Sequence, residues 1–393
     1  MKRLHIIIYI FISACISMQV SSCIDPPLNL PGQELLAEMP AVETELNVVW
    51  NVQIDWATDW YYGWDEKDDS IWGDIGYQMP KSYQVRRYYK GNNAHARHTN
   101  VDAFSTRNSV FRRYFSFGFY DINIWSDIDS KDGTQVLVIN ERLDSVTATT
   151  TGTRGMSRSA VRLNNSQEVK DDEIGIIGLR NQPEIFYAAY PEDIFISNNL
   201  SDYEYDPVEH IYVKKIETQL QPLVYIYLVQ ILLINNDGRV KGINGNAALS
   251  SMASGTNLNT GHTNNQPTIV YFNTRLKRNM VAEGQFCDII GGKLTTFGLC
   301  DMEPYTRAGS IYRGTRSSLN NYLFFDLLFS NNGVKTYSVD VTDQCQTQAH
   351  GGVITVRIDC SKLEMPTEPE NGSGSLFLPT VEDYDDVYWE IEL

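Results

Sequence analysis

The chain is poor in cations. It carries 32 Lys and Arg against 49 Asp and Glu, a formal charge of −17 over 393 residues. So acidic a surface excludes DNA or RNA as a partner, because phosphate backbones are held by clustered Lys and Arg. Cysteine is scarce, six in all, and no CxxC pair occurs, so the spacing of a structural zinc site is missing. No apolar run reaches the ~20 residues of an ordinary membrane span. The first half has no long helical stripe with caps, so the crossover helices of a parallel α/β fold are lacking. There is no nucleophile elbow, phosphate-cradling glycine loop, HExxH or Ser/Cys–His signature. These absences argue against an enzyme, and no cofactor or metal is expected.

What is present begins with an address. Met1-Lys2-Arg3 is followed by apolar residues from Leu4 to Ile16, then Val20-Ser21-Ser22-Cys23. A short basic-then-apolar leader closing on small residues and a cysteine reads as a lipoprotein signal peptide over 1–22. Cys23 then becomes the first mature residue and carries acyl chains, each buried methylene adding ~0.8 kcal/mol of anchoring. Loss of Lys2 and Arg3 takes the formal charge to −19. Residues 23–43, with Pro26-Pro27 and Pro31-Gly32, read as a lipidated tether, since proline fixes φ and removes donors.

The body reads as all-β. Leu46, Val48, Trp50, Val52, Ile54 and Trp56 alternate with polar residues, the period of a half-buried strand. Further strands are expected at Ser82–Tyr89, Arg113–Trp125 and Val208–Gln219. Leu223–Ile234 is apolar throughout, and its Val/Ile/Tyr content favours a central strand. Ala247–Ser254 is the best candidate for a short helix. Asp-Gly and Asn-Gly pairs mark hairpins. About 370 mature residues suggest two domains. The pattern predicts two antiparallel β-sandwiches in tandem, 44–205 and 206–393. Residues 366–375 form a linker by composition. The segment 386–393 alternates as a terminal strand, either closing its own sheet or offered to another subunit.

Candidate sites are few. Trp60, Tyr61, Tyr62 and Trp64 sit among Asp65, Glu66, Asp68 and Asp69. Aromatic faces beside carboxylates can stack and hydrogen-bond glycans; the alternative is that they are core aromatics beside a solvated turn. His95 and His98 lie in a polar loop with no acidic residue close in sequence. Asp127–Gly133 faintly echoes a calcium loop, but Lys131 stands where an oxygen ligand is needed, and it reads as a hairpin turn. Cys287, Cys300, Cys345 and Cys360 are either free and buried or joined in one or two disulfides of an exported protein.

The leader with Cys23 and Pro26-Pro27 resembles that of the fimbrillin-like lipoproteins of gut Bacteroidales. Within that group the chain resembles a family catalogued as a domain of unknown function. The residues that carry the likeness are Trp60–Asp65, Gly76-Tyr77, Arg86-Arg87-Tyr88, Phe119-Tyr120-Asp121 with Trp125, Pro222–Asn235, Gly242–Ala253, Leu258–Gly261, Phe297-Gly298 and Asp340–Thr342. The resemblance implies transthyretin-like sandwiches and a fimbrial anchor, accessory or tip subunit in the outer membrane, lipid-anchored at the cell surface, meeting other fimbrial subunits by strand donation. No Lys or Arg lies between Cys23 and the first strand, which favours a subunit that keeps its lipid. It also implies glycan attachment at Asp-Ser/Thr-apolar triplets, which Ser70 and Ser145 fit. The competing expectation is a glycan-binding outer-membrane lipoprotein of a polysaccharide-uptake system, with Trp60, Tyr61, Tyr62 and Trp64 as its platform.

Overall fold

A computed structural model of the chain describes residues 42–50, 59–98, 100–126, 136–139, 146–150, 178–180, 182–300, 302 and 319–366. Cys23, Asp127–Gly133, Ser145 and the terminal segment 386–393 lie outside the described residues.

The described chain is built almost wholly of strands. Its first half holds β1 (Val42–Val49), α1 (Glu66–Trp72), β2 (Tyr83–Gly91), β3 (Asn100–Thr106), β4 (Val110–Tyr114), β5 (Gly118–Ser126), β6 (Val136–Ile139), β7 (Thr147–Thr150), β8 (Gly178–Arg180), β9 (Tyr187–Ala189), β10 (Ile194–Ile196) and β11 (Glu204–Asp206). Then come β12 (Ile211–Gln219), β13 (Gln221–Pro222), β14 (Tyr225–Ile234), β15 (Val240–Ile243), β16 (Ala247–Ala253), β17 (Gly255–Asn257), β18 (Pro267–Phe272) and β19 (Arg275–Ala282). The chain continues through β20 (Gln285–Thr296), β21 (Tyr322–Phe329), β22 (Val334–Asp340), α2 (Thr342–Thr347) and β23 (Gly352–Asp359).

Two pairs of facing sheets carry the cores. Sheet β11-β12-β1-β4 faces sheet β13-β9-β5-β2-β3, with Leu46, Val48, Val85, Ile122, Ile124 and Ile216 buried between them. Sheet β19-β20-β14-β23 faces sheet β15-β21-β16-β18-β8, and Tyr227, Val229, Ile231, Leu249, Phe272, Phe325 and Ile354 fill that core. A three-stranded sheet, β17-β7-β6, joins segments from both halves.

Several expectations are revised. Most pairings are antiparallel, but β1–β12, β14–β23 and β18–β8 are parallel. Strand β12 lies past residue 206, where the sequence suggests a break, yet it pairs along all eight residues of β1. Ala247–Ala253 is a strand and not a helix, with a bulge between Leu249 and Met252 where Ser251 takes φ 60°. Its small side chains are buried on both faces, so packing overrides their helical propensity. Arg113–Trp125 divides into β4 and β5 around a turn.

Strand β14 is buried on both faces. One face belongs to the core. The other carries Ile226, Leu228 and Leu232 and is covered by residues of the 59–80 segment. That cover explains why a sheet strand can be apolar all round.

Candidate functional site

The segment 59–80 is a strap laid over the outer face of the β19-β20-β14-β23 sheet. It is tied there at both ends and in the middle. Gln230, fully buried in β14, accepts from Tyr61 N–H at 2.9 Å and donates to the Asp59 carbonyl at 2.7 Å and to Thr355 Oγ1 at 2.9 Å. A glutamine amide can serve an irregular backbone segment in this way where sheet pairing cannot reach it.

Tyr62 is the plug. It is 0% exposed and packs on Leu232, Ala282, Cys287 and Ile289. Gly291 of β20 makes room for it: a Cβ there would stand 2.4 Å from the Tyr62 ring. Burying a side chain of this size contributes about 2–3 kcal/mol. Burial, followed by the Asp68 hydrogen bond, drives the phenol pKa far above its ordinary value.

The chain then turns at Gly63, φ 65°, and starts α1 with a capping box. Asp65 Oδ1 accepts from Lys67 N and Asp68 N, and Asp68 Oδ2 accepts from Asp65 N at 3.0 Å. Such reciprocal caps satisfy two orphan donors of a helix start. Asp68, 0% exposed, also accepts from Tyr62 Oη at 2.9 Å, Arg275 Nη1 at 2.7 Å and Lys277 Nζ at 2.6 Å. Lys277 lies 4.2 Å from the Tyr62 ring centre and donates to the Gly63 carbonyl at 2.7 Å. Asp65 shares both cations at 2.9 Å, and the Lys277 hydrogen bond holds its carboxyl below the usual carboxylate range. Farther along, Lys293 of β20 donates to the carbonyls of Trp72 (3.4 Å) and Asp74. Tyr77 Oη donates to the Val224 carbonyl at 2.9 Å.

Of the four aromatics proposed for glycan stacking, Tyr62 is fully buried, and Trp60, Tyr61 and Trp64 are partly buried. Tyr62 is inside, with Gly291 and Lys277 against its ring. Trp60 is half-buried against both apolar clusters under the strap. Tyr61 is half-buried and fixed through its N–H. Trp64 leans on Trp72, ring centres 5.4 Å apart, and donates Nε1–H to Asp69 at 2.6 Å. Ser70 is exposed on α1 and donates to the Lys67 carbonyl.

The remaining candidates fall elsewhere. His98 Nε2 is 3.0 Å from Asp121, a partner 23 residues away in sequence that the loop's own composition does not reveal. Buried Asp121 also meets Lys90 at 2.7 Å and accepts from Asp193 N. Cys287, Cys345 and Cys360 are free and buried, and Cys300 is buried too; the four are spread over three apolar clusters. Among the described residues no three His, Cys, Asp or Glu are grouped to hold a metal. No described helix is long and apolar enough to cross a membrane. Sequence reasoning passed over Gln230, Arg275, Lys277 and Lys293. The Asp65-x-x-Asp68 spacing and the i, i+2 cations of β19 were the available signals.

No family model matches the chain, and no curated protein matches it. Among solved structures it is similar to a Bacteroides ovatus protein assigned as an adhesin, at 13% identity over 85% of this chain and 97% of that one, with a TM-score of 0.45. It is similar to a second such protein from Bacteroides thetaiotaomicron at 6% identity, 82% and 94% coverage and TM-score 0.44. The fimbrial anchor protein Mfa2 from Porphyromonas gingivalis matches at 10% identity, 81% and 90% coverage and TM-score 0.37.

Proposed function

We propose that the chain is a non-enzymatic surface protein, held at the outer membrane by acyl chains on Cys23, that serves a fimbria as anchor, accessory or tip subunit. The observation that carries this reading is what the most recognisable sequence block does. Trp60–Asp65, foremost among the residues resembling fimbrillin-like lipoproteins, is spent on closing the strap over β14 and β20. Its aromatics and carboxylates pack and tie down the strap, which supports a structural over a catalytic role. The leader ending at Cys23, the β-rich body and the alternating sequence of 386–393 add support. The test has two arms. Pull-down from native cells is expected to recover other fimbrial subunits, and deletion to alter fimbriae. Cys23→Ser is expected to leave the body folded while abolishing membrane retention and the fimbrial phenotype. Intact fimbriae in the deletion strain, with no co-purifying subunit, would sink the proposal.

A further inference from the structure

Beside the end of the strap lies a cleft of about 360 Å³. At its base is Lys293, 8% exposed. Its ammonium touches two backbone carbonyls and, among the described residues, no carboxylate within 4 Å; Asp74 and Asp69 of the strap act on it from farther away. A buried cation with no counter-charge in contact is costly. Ser126, also buried and lining the cleft, accepts from Tyr187 N–H at 3.0 Å, and its own proton has no acceptor among the described residues. Lys81 stands exposed at the edge. The half-buried Trp72 and Ile185 form the walls, with the buried Tyr187 behind them. A cation and an unspent hydroxyl donor set in aromatic and apolar walls call for an anionic group on a ring-shaped body.

We propose that this cleft is a binding site for a uronic-acid sugar, its carboxylate held by Lys293 and Ser126 and its ring laid against the half-buried Trp72 and Ile185. The site is independent of assembly into a fimbria, so its failure would leave the fimbrial reading standing. Burial lowers the Lys293 amine to about 8, and only its protonated form attracts a carboxylate. Affinity should therefore be level below pH 8 and fall above it. Asp69 and Asp74 of the strap and Lys81 at the cleft's edge are the other charged groups around Lys293, and burial keeps the Tyr187 phenol neutral.

The experiment titrates the full chain, purified in detergent, with methyl β-glucuronide and with methyl β-glucoside, its neutral counterpart. Calorimetry is combined with the Lys293 13Cε resonance. The glucuronide is expected to bind at least about tenfold tighter than the glucoside. Lys293→Met should erase that preference, and Lys81→Gln should weaken glucuronide binding about two- to fivefold. Equal binding of both sugars overturns the proposal, as does a preference that survives Lys293→Met or an absence of saturation by about 10 mM glucuronide. N-acetyl-leucine binding tighter than the glucuronide overturns the sugar assignment. Should Lys293→Met fail to fold, an unmoved Lys293 13Cε signal on adding glucuronide is decisive against it.

Discussion

Asp68→Ala removes the group on which the strap converges. Four donors lose an acceptor: Tyr62 Oη, Asp65 N, Arg275 Nη1 and Lys277 Nζ, at 2.6–3.0 Å. The two cations keep Asp65 at 2.9 Å, but Asp65 is half exposed and cannot replace a buried carboxylate. Among the described residues the Tyr62 hydroxyl has no second acceptor, and an orphaned buried hydroxyl alone costs about 1–3 kcal/mol. Breaking a buried ion pair from one side costs about 3–5 kcal/mol, so the expected destabilisation is about 3–5 kcal/mol. In a chain of this size that is a fall of roughly 5–15 °C in melting temperature. Circular dichroism melts read the fall, and limited proteolysis reads release of residues 59–80. A double-mutant cycle with Lys277→Met isolates the shared part, expected at about 1–3 kcal/mol of coupling. A loss under about 1 kcal/mol, or strict additivity, refutes the claim that Asp68 is the strap's electrostatic anchor.

Gly291→Ala should cost about 1–3 kcal/mol by driving a Cβ into the Tyr62 ring. Urea unfolding should show most of that cost vanish in a Tyr62→Leu background. Lys293 binds its proton less tightly folded, at about 8, than unfolded, near 10.5. The folded state therefore carries fewer protons in that window, and stability relative to Lys293→Met should rise as pH climbs from about 8 to 10.5. Burial raises Asp121, but the hydrogen bonds from Lys90, Asp193 N–H and His98 outweigh it, leaving the pKa lowered. Its contribution is present above the unfolded value of ~3.9 and lost as pH falls through the folded one; acid melts of Lys90→Met should show a smaller drop than the parent. Burial lifts the Cys345 thiol to about 12 and Cys360 to about 11. Peptide mapping after maleimide treatment should find Cys287, Cys345 and Cys360 labelled only in unfolded protein.

The all-β class and the central strand were legible because they depend on local pattern. Leu223–Ile234 advertises a strand through β-branched and aromatic content, and β14 occupies Tyr225–Ile234. Ala247–Ala253 misleads because Ala and Ser say little about a strand packed on both faces; the neighbours decide. Pairing of β1 with β12 spans about 170 residues, and no local signal specifies a partner so remote. His98–Asp121 and Asp68–Arg275–Lys277 are hidden for the same reason. Each residue looks like solvated charge until the fold brings its counterpart within 3 Å.

The strap also changes what a sugar-retention experiment on its tryptophans can mean. Trp64→Ala removes the donor to Asp69 and the ring against Trp72. Trp72 ends α1, and its carbonyl receives Lys293, which lines the neighbouring cleft. Loss of retention in that variant follows equally from a lost stacking face and from a loosened strap that no longer shapes the cleft. Stability separates the two. A stacking residue gives up sugar at an unchanged melting temperature, whereas a strap residue gives up both together. For Trp64 the expected result is the second, with Lys81→Gln as the contrasting case, because its exposed ammonium can affect retention without unlocking the strap. If Trp64→Ala loses retention while melting with the parent, the four aromatics regain their standing as a platform and the structural account of this segment fails.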